Sequence, residues 1–327
     1  MDASCIMAKD RLGFVGILGE ALRVSIAGSP RFLILACLAS FPLFCSLLLN
    51  EFLLQQTFLG TAHFAFDGMS ECSTSGDFTM CIIATPIDVL KNWVGEASRG
   101  LVLMGVLYLV VVSPLDLLNT VVVVRNASAI YGGENLPNLR EFFLQPFKEI
   151  GFRGPLVTFM YALVLSCLTW LGLVSFASNI YGLSSSFGPV EFSGVFSGVL
   201  FVALFTKYME WSAIWNMGIV ISILEEKHGD IALGVAAYIS RGSRRKGLAL
   251  MLVFFIWRLA LRLPCLYFAW HSKATGFAAL VLQVYLVCLG NVVKWSVSMV
   301  YYCDCKKRLL EKKFDAEEGN AAPLVKS

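Results

Sequence analysis

Apolar residues along this chain gather into six runs, about Phe32 to Leu54, Leu101 to Val124, Pro155 to Ala177, Gly194 to Ile223, Leu248 to Trp270 and Thr275 to Tyr302. A helix rising about 1.5 Å per residue needs around 20 such residues to cross a hydrocarbon core of about 30 Å, so each run has spanning length. Between them the period changes. Leu12, Val15, Leu18, Leu22 and Ile26 recur at helical spacing with Lys9, Arg11, Glu20 and Arg23 at the other positions. The same plan returns at Leu139, Phe142, Phe143, Phe147 and Ile150, and again at Ile231, Val235, Tyr238 and Ile239. Each is an amphipathic helix of the kind that lies on a membrane surface.

A breaker follows each amphipathic run and precedes a span: Ser29-Pro30-Arg31, then Gly151 to Pro155, then Arg241 to Gly247. The pattern predicts an all-α polytopic membrane protein, six transmembrane helices with three amphipathic cytosolic surface helices, built as a weak threefold hairpin repeat of pattern without convincing residue identity. Residues 1–31 form the first surface helix, 32–302 the transmembrane domain and 303–327 a charged tail. Pro42 predicts a kink in the first span, and Pro114, Asp116 and Asn119 make the second span the most polar of the first half.

Composition agrees: 57% of the 327 residues are hydrophobic, above the roughly 45 to 50% of soluble domains. Charge adds orientation. Of 26 Lys and Arg, 19 lie in the N-terminal segment, the second-to-third and fourth-to-fifth connections and the C-terminal tail, against 3 in the alternate connections. The positive-inside rule then places both termini in the cytosol. The first span, preceded by a long amphipathic lead, reads as an uncleaved anchor. The membrane is expected to be the endoplasmic reticulum, another endomembrane or the plasma membrane.

Ten cysteines sort by side. Cys72 and Cys81 fall in the long extracytoplasmic connection, where either a disulfide or two free thiols fits. Cys303 and Cys305, followed by Lys306-Lys307-Arg308, sit where S-palmitoylation occurs. No metal set and no cofactor motif is expected, since HExxH, GxSxG and Walker A patterns are absent and His63, His228 and His271 lie outside the span centres. Asn126-Ala127-Ser128 matches a glycosylation sequon on the side predicted to be cytosolic.

Intramembrane charge is the remaining signal, because ionisable residues inside a bilayer are costly and functional by default. Asp116, Lys207, Glu210 and Arg258 fall in the inner parts of their spans, two of each sign, while Arg262 and Lys294 are close enough to an edge to snorkel. Lys207 and Glu210 are placed to pair with each other, and Arg258 with Glu210 or Asp116; structural pairing, a solute or proton site, and a lipid site all fit. Tyr208, Trp211 and Trp215 read as packing residues. Arg31, Arg153, Arg244, Arg245 and Lys246 form candidate contacts to anionic lipid headgroups of the cytosolic leaflet.

Glu20-Ala21-Leu22 before Ser29-Pro30-Arg31, the stretch Leu224 to Gly229, and Ala232 to Gly242 leading into a basic turn give the chain a further property: it resembles uncharacterised six-span membrane proteins of land plants. That resemblance implies the same helical architecture and assigns no activity. The reading that follows is a non-enzymatic lipid- or partner-binding scaffold, with protein partners or self-association and no nucleic acid. The alternative is a transporter or channel for a small solute.

Overall fold

The computed structural model describes residues 12–27, 30–70, 102–133, 153–186, 191–225, 227–271 and 273–321. Among these the elements are helices, with no strand. They are α1 (Phe14–Leu22, continued by a π-helical turn Arg23–Ala27), α2 (Pro30–Ala39), α3 (Phe41–Ser70) and α4 (Val102–Tyr131). Then come α5 (Arg153–Ser186), α6 (Glu191–Leu224), α7 (Gly229–Ile239), α8 (Arg244–His271) and α9 (Lys273–Ala321).

Among the described residues four helical stretches are long and apolar enough to cross a membrane: Val102–Tyr131, Arg153–Phe176, Arg244–His271 and Ala274–Glu311. Exposed apolar side chains such as Val164, Leu168, Leu171 and Leu263 lie along two of them, as lipid-facing surface requires. The helices exceed the runs that predicted them. The segment expected as a C-terminal tail is helical through Ala321, continuous with α9, whose 49 residues would extend about 73 Å and outrun any bilayer.

Prolines shape two of the expected spans. The first is broken at Ser40, directly ahead of Phe41 and Pro42, so that Pro42 sits in the first turn of α3, where its missing N–H costs nothing. The Ser40 hydroxyl left at the break donates to Asn119 Oδ1 at 2.9 Å. In α4 a π-helical turn at Tyr108–Val112 lies just ahead of Pro114, the Ser113 N–H donating to the Tyr108 carbonyl five residues back. A positive φ at Gly133 of 79° ends that helix.

The chain divides into two compact units, residues Met1–Ala39, Thr120–Trp257 and Gly290–Ser327 in the first, Ser40–Asn119 and Arg258–Leu289 in the second. In the first, α7 packs against both α5 and α6. Its inward face is small, Gly229, Ala232 and Ala236 being buried, while Ile231 and Tyr238 point outward at 61% and 53% exposure. The same inversion marks α1, where Ile17 and Ala21 are buried and Val15 is exposed. Outward apolar side chains on both helices are what a membrane-surface helix presents to lipid. The second amphipathic run, 139–150, and the Cys72 and Cys81 connection lie outside the described residues.

The turn into α7 has a local cause. Gly229 adopts φ +65°, a left-handed conformation that other residues rarely take, and its N–H donates to Thr158 Oγ1 on α5 at 2.8 Å. Gly154 makes room beside it: a Cβ there would collide with the His228 ring. His228 and Gly229 thereby tie the start of α7 to α5.

Candidate functional site

In the first unit, the C-terminal turns of the membrane-crossing part of α9 carry a dense polar cluster. Tyr301, Tyr302, Cys303, Asp304 and Cys305 are all buried. Asp304, with 4% of its side chain exposed, faces Arg308 at 3.0 Å and Lys246 at 3.7 Å. Its second oxygen accepts the Leu12 N–H at 3.3 Å, while the Leu12 carbonyl accepts from Lys246 at 2.5 Å and Arg308 at 3.3 Å. The start of α1 is therefore clamped to α8 and α9 by one carboxylate and two cations.

Glu225, just past the end of α6, makes a second knot. Tyr302 Oη donates to it, Lys306 Nζ lies 2.9 Å from one oxygen, and Lys227 Nζ lies 3.1 Å from the other. Burial alone would raise the Glu225 carboxyl, but the hydrogen bonds from Tyr302, Lys306 and Lys227 outweigh it and hold the group at about 2. The basic turn is fixed by a third set: Tyr301 Oη donates to the Ser243 carbonyl at 3.1 Å, and Ser243 Oγ lies 2.9 Å from Cys305 Sγ.

Beside these knots lies a cavity of about 370 Å³ lined by Tyr238, Arg241, Ser243, Arg308 and Glu311, among others. Arg241 is exposed, with its guanidinium 5.9 Å from the centre of the Tyr238 ring. Arg244 and Arg245 follow on the same turn and are also exposed. Arg153 is exposed at the start of α5, and the Arg31 side chain lies outside the described set.

The structure separates residues that the sequence grouped together. Lys246 is drawn out of the expected headgroup-binding set by its contacts to Asp304 and Leu12. The two thiols expected to carry palmitate are buried, Cys303 at 0% and Cys305 at 1%, and Cys303 is disulfide-bonded, so neither is an open acceptor in this fold. Asn126 is likewise enclosed at 4% exposure, its amide nitrogen donating to the Val122 carbonyl at 2.7 Å.

Of the four charges expected inside the membrane, Lys207 and Glu210 pair with each other at 2.7 Å. The lysine side chain is 63% exposed and the glutamate 17%. Nearby, Tyr208 packs edge-on to Trp170 and Trp215 and accepts a hydrogen bond from the Trp170 indole at 2.8 Å. Arg258 is exposed on α8, and Asp116 is half-buried on α4.

In the second unit, a residue expected to snorkel does something else. Arg262 Nη2 donates to Glu51 Oε2 on α3 at 2.8 Å, instead of reaching for headgroups. Gln55 and Gln283 lie beside this pair, both buried. The spacing of Glu51 and Gln55, four apart within an apolar run, was the available sign. Among the described residues no group of three or more His, Cys, Asp or Glu is arranged to hold a metal ion.

The arrangement defines a helical protein with four apolar helices of membrane-crossing length, a clamped polar knot and a basic turn at the end of α7. Comparisons with protein-family models, curated proteins and solved structures find no match.

Proposed function

We propose that this is a non-enzymatic, multi-pass membrane protein of six spans, the four apolar helices joined by the α2–α3 pair and by α6, with both termini in the cytosol. Its function in this reading is to bind anionic lipid headgroups at the cytosolic leaflet, alone or as a platform for protein partners. One observation carries it. The exposed Arg241 lines an open cavity, and Arg244 and Arg245 follow it, also exposed, directly after a helix whose outward residues, Ile231 and Tyr238, are apolar. Apolar side chains entering the interface beside free guanidinium groups is the geometry by which a surface helix engages acidic lipid.

The alternate reading, a transporter or channel for a small solute, draws support from the Glu51–Arg262 pair in the second unit. The two readings use different residues and separate experimentally.

The lipid reading is tested by replacing Arg241, Arg244 and Arg245 together with Gln and measuring short-chain phosphatidylserine binding to the purified protein in neutral detergent. At about 1 kcal/mol for each basic residue near an acidic surface, the triple variant should bind roughly 100-fold more weakly. The wild-type affinity should also fall with added salt. A folded triple variant that binds phosphatidylserine as the wild type does would remove the basis of the proposal.

A further inference from the structure

The Glu51–Arg262 pair opens onto a cavity of about 220 Å³ lined by α3, α8 and α9. Each helix presents one stripe to it: Glu51, Leu54 and Gln55; Arg262, Cys265 and Leu266; Leu280 and Gln283. The spacings of three and four are those of a single helical face, so three helices converge on one space with polar atoms from all three. Cys265 and Leu280 form its inner wall, behind which Val284 and Cys288 pack with Phe44, Leu47, Leu48 and Ala279. Close approach of α8 and α9 holds the frame, since a Cβ on Gly276 would fall 2.7 Å from the Ala269 backbone.

The hydrogen-bonding capacity of this space is largely unused by the described residues. Arg262 carries five N–H donors and spends one on Glu51. Glu51 accepts through Oε2, leaving Oε1. Gln283 is 7% exposed and has no hydrogen-bond partner among the described residues, and Gln55 at 8% has only a 4.0 Å contact to the Cys265 sulfur. These donors and acceptors face an open cavity, the Arg262 side chain being 44% and the Glu51 side chain 25% exposed, and are available to a polar occupant.

We infer that this cavity binds a small zwitterionic solute, of the size and class of a free amino acid, between Arg262 and Glu51. Three features select that class. The site has one positive and one negative group, so an occupant with a net charge would leave an unbalanced charge in an apolar surround, at a cost that a net-neutral dipole avoids. The forked guanidinium matches a carboxylate, and the Glu51 carboxylate matches an ammonium group, while the two amides take the remaining polar atoms. The volume holds about seven waters at ~30 Å³ each, enough for a small amino acid and too little for a lipid headgroup with its chains. Leu54, Leu266 and Leu280 supply walls for an apolar or short polar side chain. Arg262 lies eight residues before Trp270 on α8, roughly 12 Å along the helix, a depth at which a charged pair is expensive without a task.

Cys265 lines the same cavity as a free thiol and gives the test a reporter that reads occupancy of the site alone, whether or not the transporter reading holds. Membranes containing the full chain are treated with 2-aminoethyl methanethiosulfonate, and mass spectrometry follows modification at Cys265, with and without glycine, serine or glutamine. The expected result is that Cys265 is modified and that at least one of the three slows it, by about tenfold at ten times its dissociation constant. Sodium acetate and choline, each of which carries only one of the two charges, should leave the rate unchanged. In Arg262→Gln and Glu51→Gln the modification should persist and the protection be lost, persistence itself showing that the cavity still forms. An unreactive Cys265 in the wild type, or modification at one rate with all three amino acids, overturns the assignment.

Discussion

Glu225→Gln is the substitution for which the structure gives the firmest magnitude. The wild-type carboxylate accepts from Tyr302 and faces Lys306 and Lys227, and these hold it at about 2 against an ordinary 4.5. A depression of that size corresponds to roughly 3 kcal/mol favouring the ionised form in the folded state. With 19% of the side chain exposed, solvent screening reduces this, and about 1 to 2 kcal/mol is the expected contribution. Because the folded value is the lower one, the contribution is complete above about 4.5 and disappears as pH falls toward 2, roughly half of it being gone by pH 3. Thermal unfolding in detergent, followed by tryptophan fluorescence, should give Glu225→Gln a Tm several degrees below wild type at pH 7. Between pH 5 and 3 the gap should narrow, because only the wild type has this charge to lose. Equal melting at pH 7, or a gap that does not narrow on acidification, would refute the reasoning.

Further substitutions probe the rest of the fold. Asp304→Asn strands Lys246 and Arg308 around a site only 4% exposed and should cost about 3 to 5 kcal/mol, read as loss of detergent-stable protein by fluorescence-detected size exclusion. Gly247→Ala places a Cβ 2.8 Å from Tyr301 Oη and 3.1 Å from Ala213 Cβ, and should destabilise by about 1 to 3 kcal/mol in the same unfolding assay. Lys207→Gln, which removes one partner of a pair whose lysine is 63% exposed, should leave the unfolding free energy within about 1 kcal/mol of wild type, which sets it apart from Asp304→Asn.

Helix existence was legible from the long apolar runs, which fall on helices in the structure, four of them of membrane-crossing length among the described residues. Helix ends were less so. The charged stretch after Tyr302 looked like a detachable tail, yet α9 continues through it because Asp304, Lys306 and Arg308 each find a partner from another segment. No local pattern reveals that Leu12, nearly three hundred residues away, supplies the backbone atoms that Asp304 and Arg308 bind. The break before Pro42 was readable, since proline acts locally; the Ser40 to Asn119 bond that follows from it was not.

Charges within the apolar runs show the same limit from the opposite direction. Sorting them by depth alone grouped Asp116, Lys207, Glu210 and Arg258, and set Arg262 aside as close enough to an edge to reach water. Depth fixes the cost of a charge, but the partner across the helix interface decides whether that cost is met. Glu51 meets it for Arg262, and it is accompanied by Gln55 one turn on and Gln283 from α9. A lone arginine near a span edge has headgroups as its cheapest partner; an arginine facing an acid and two buried amides has a binding site as its cheapest explanation. The test at Cys265 and the test at Arg241, Arg244 and Arg245 therefore address separable questions, and success at one does not require success at the other.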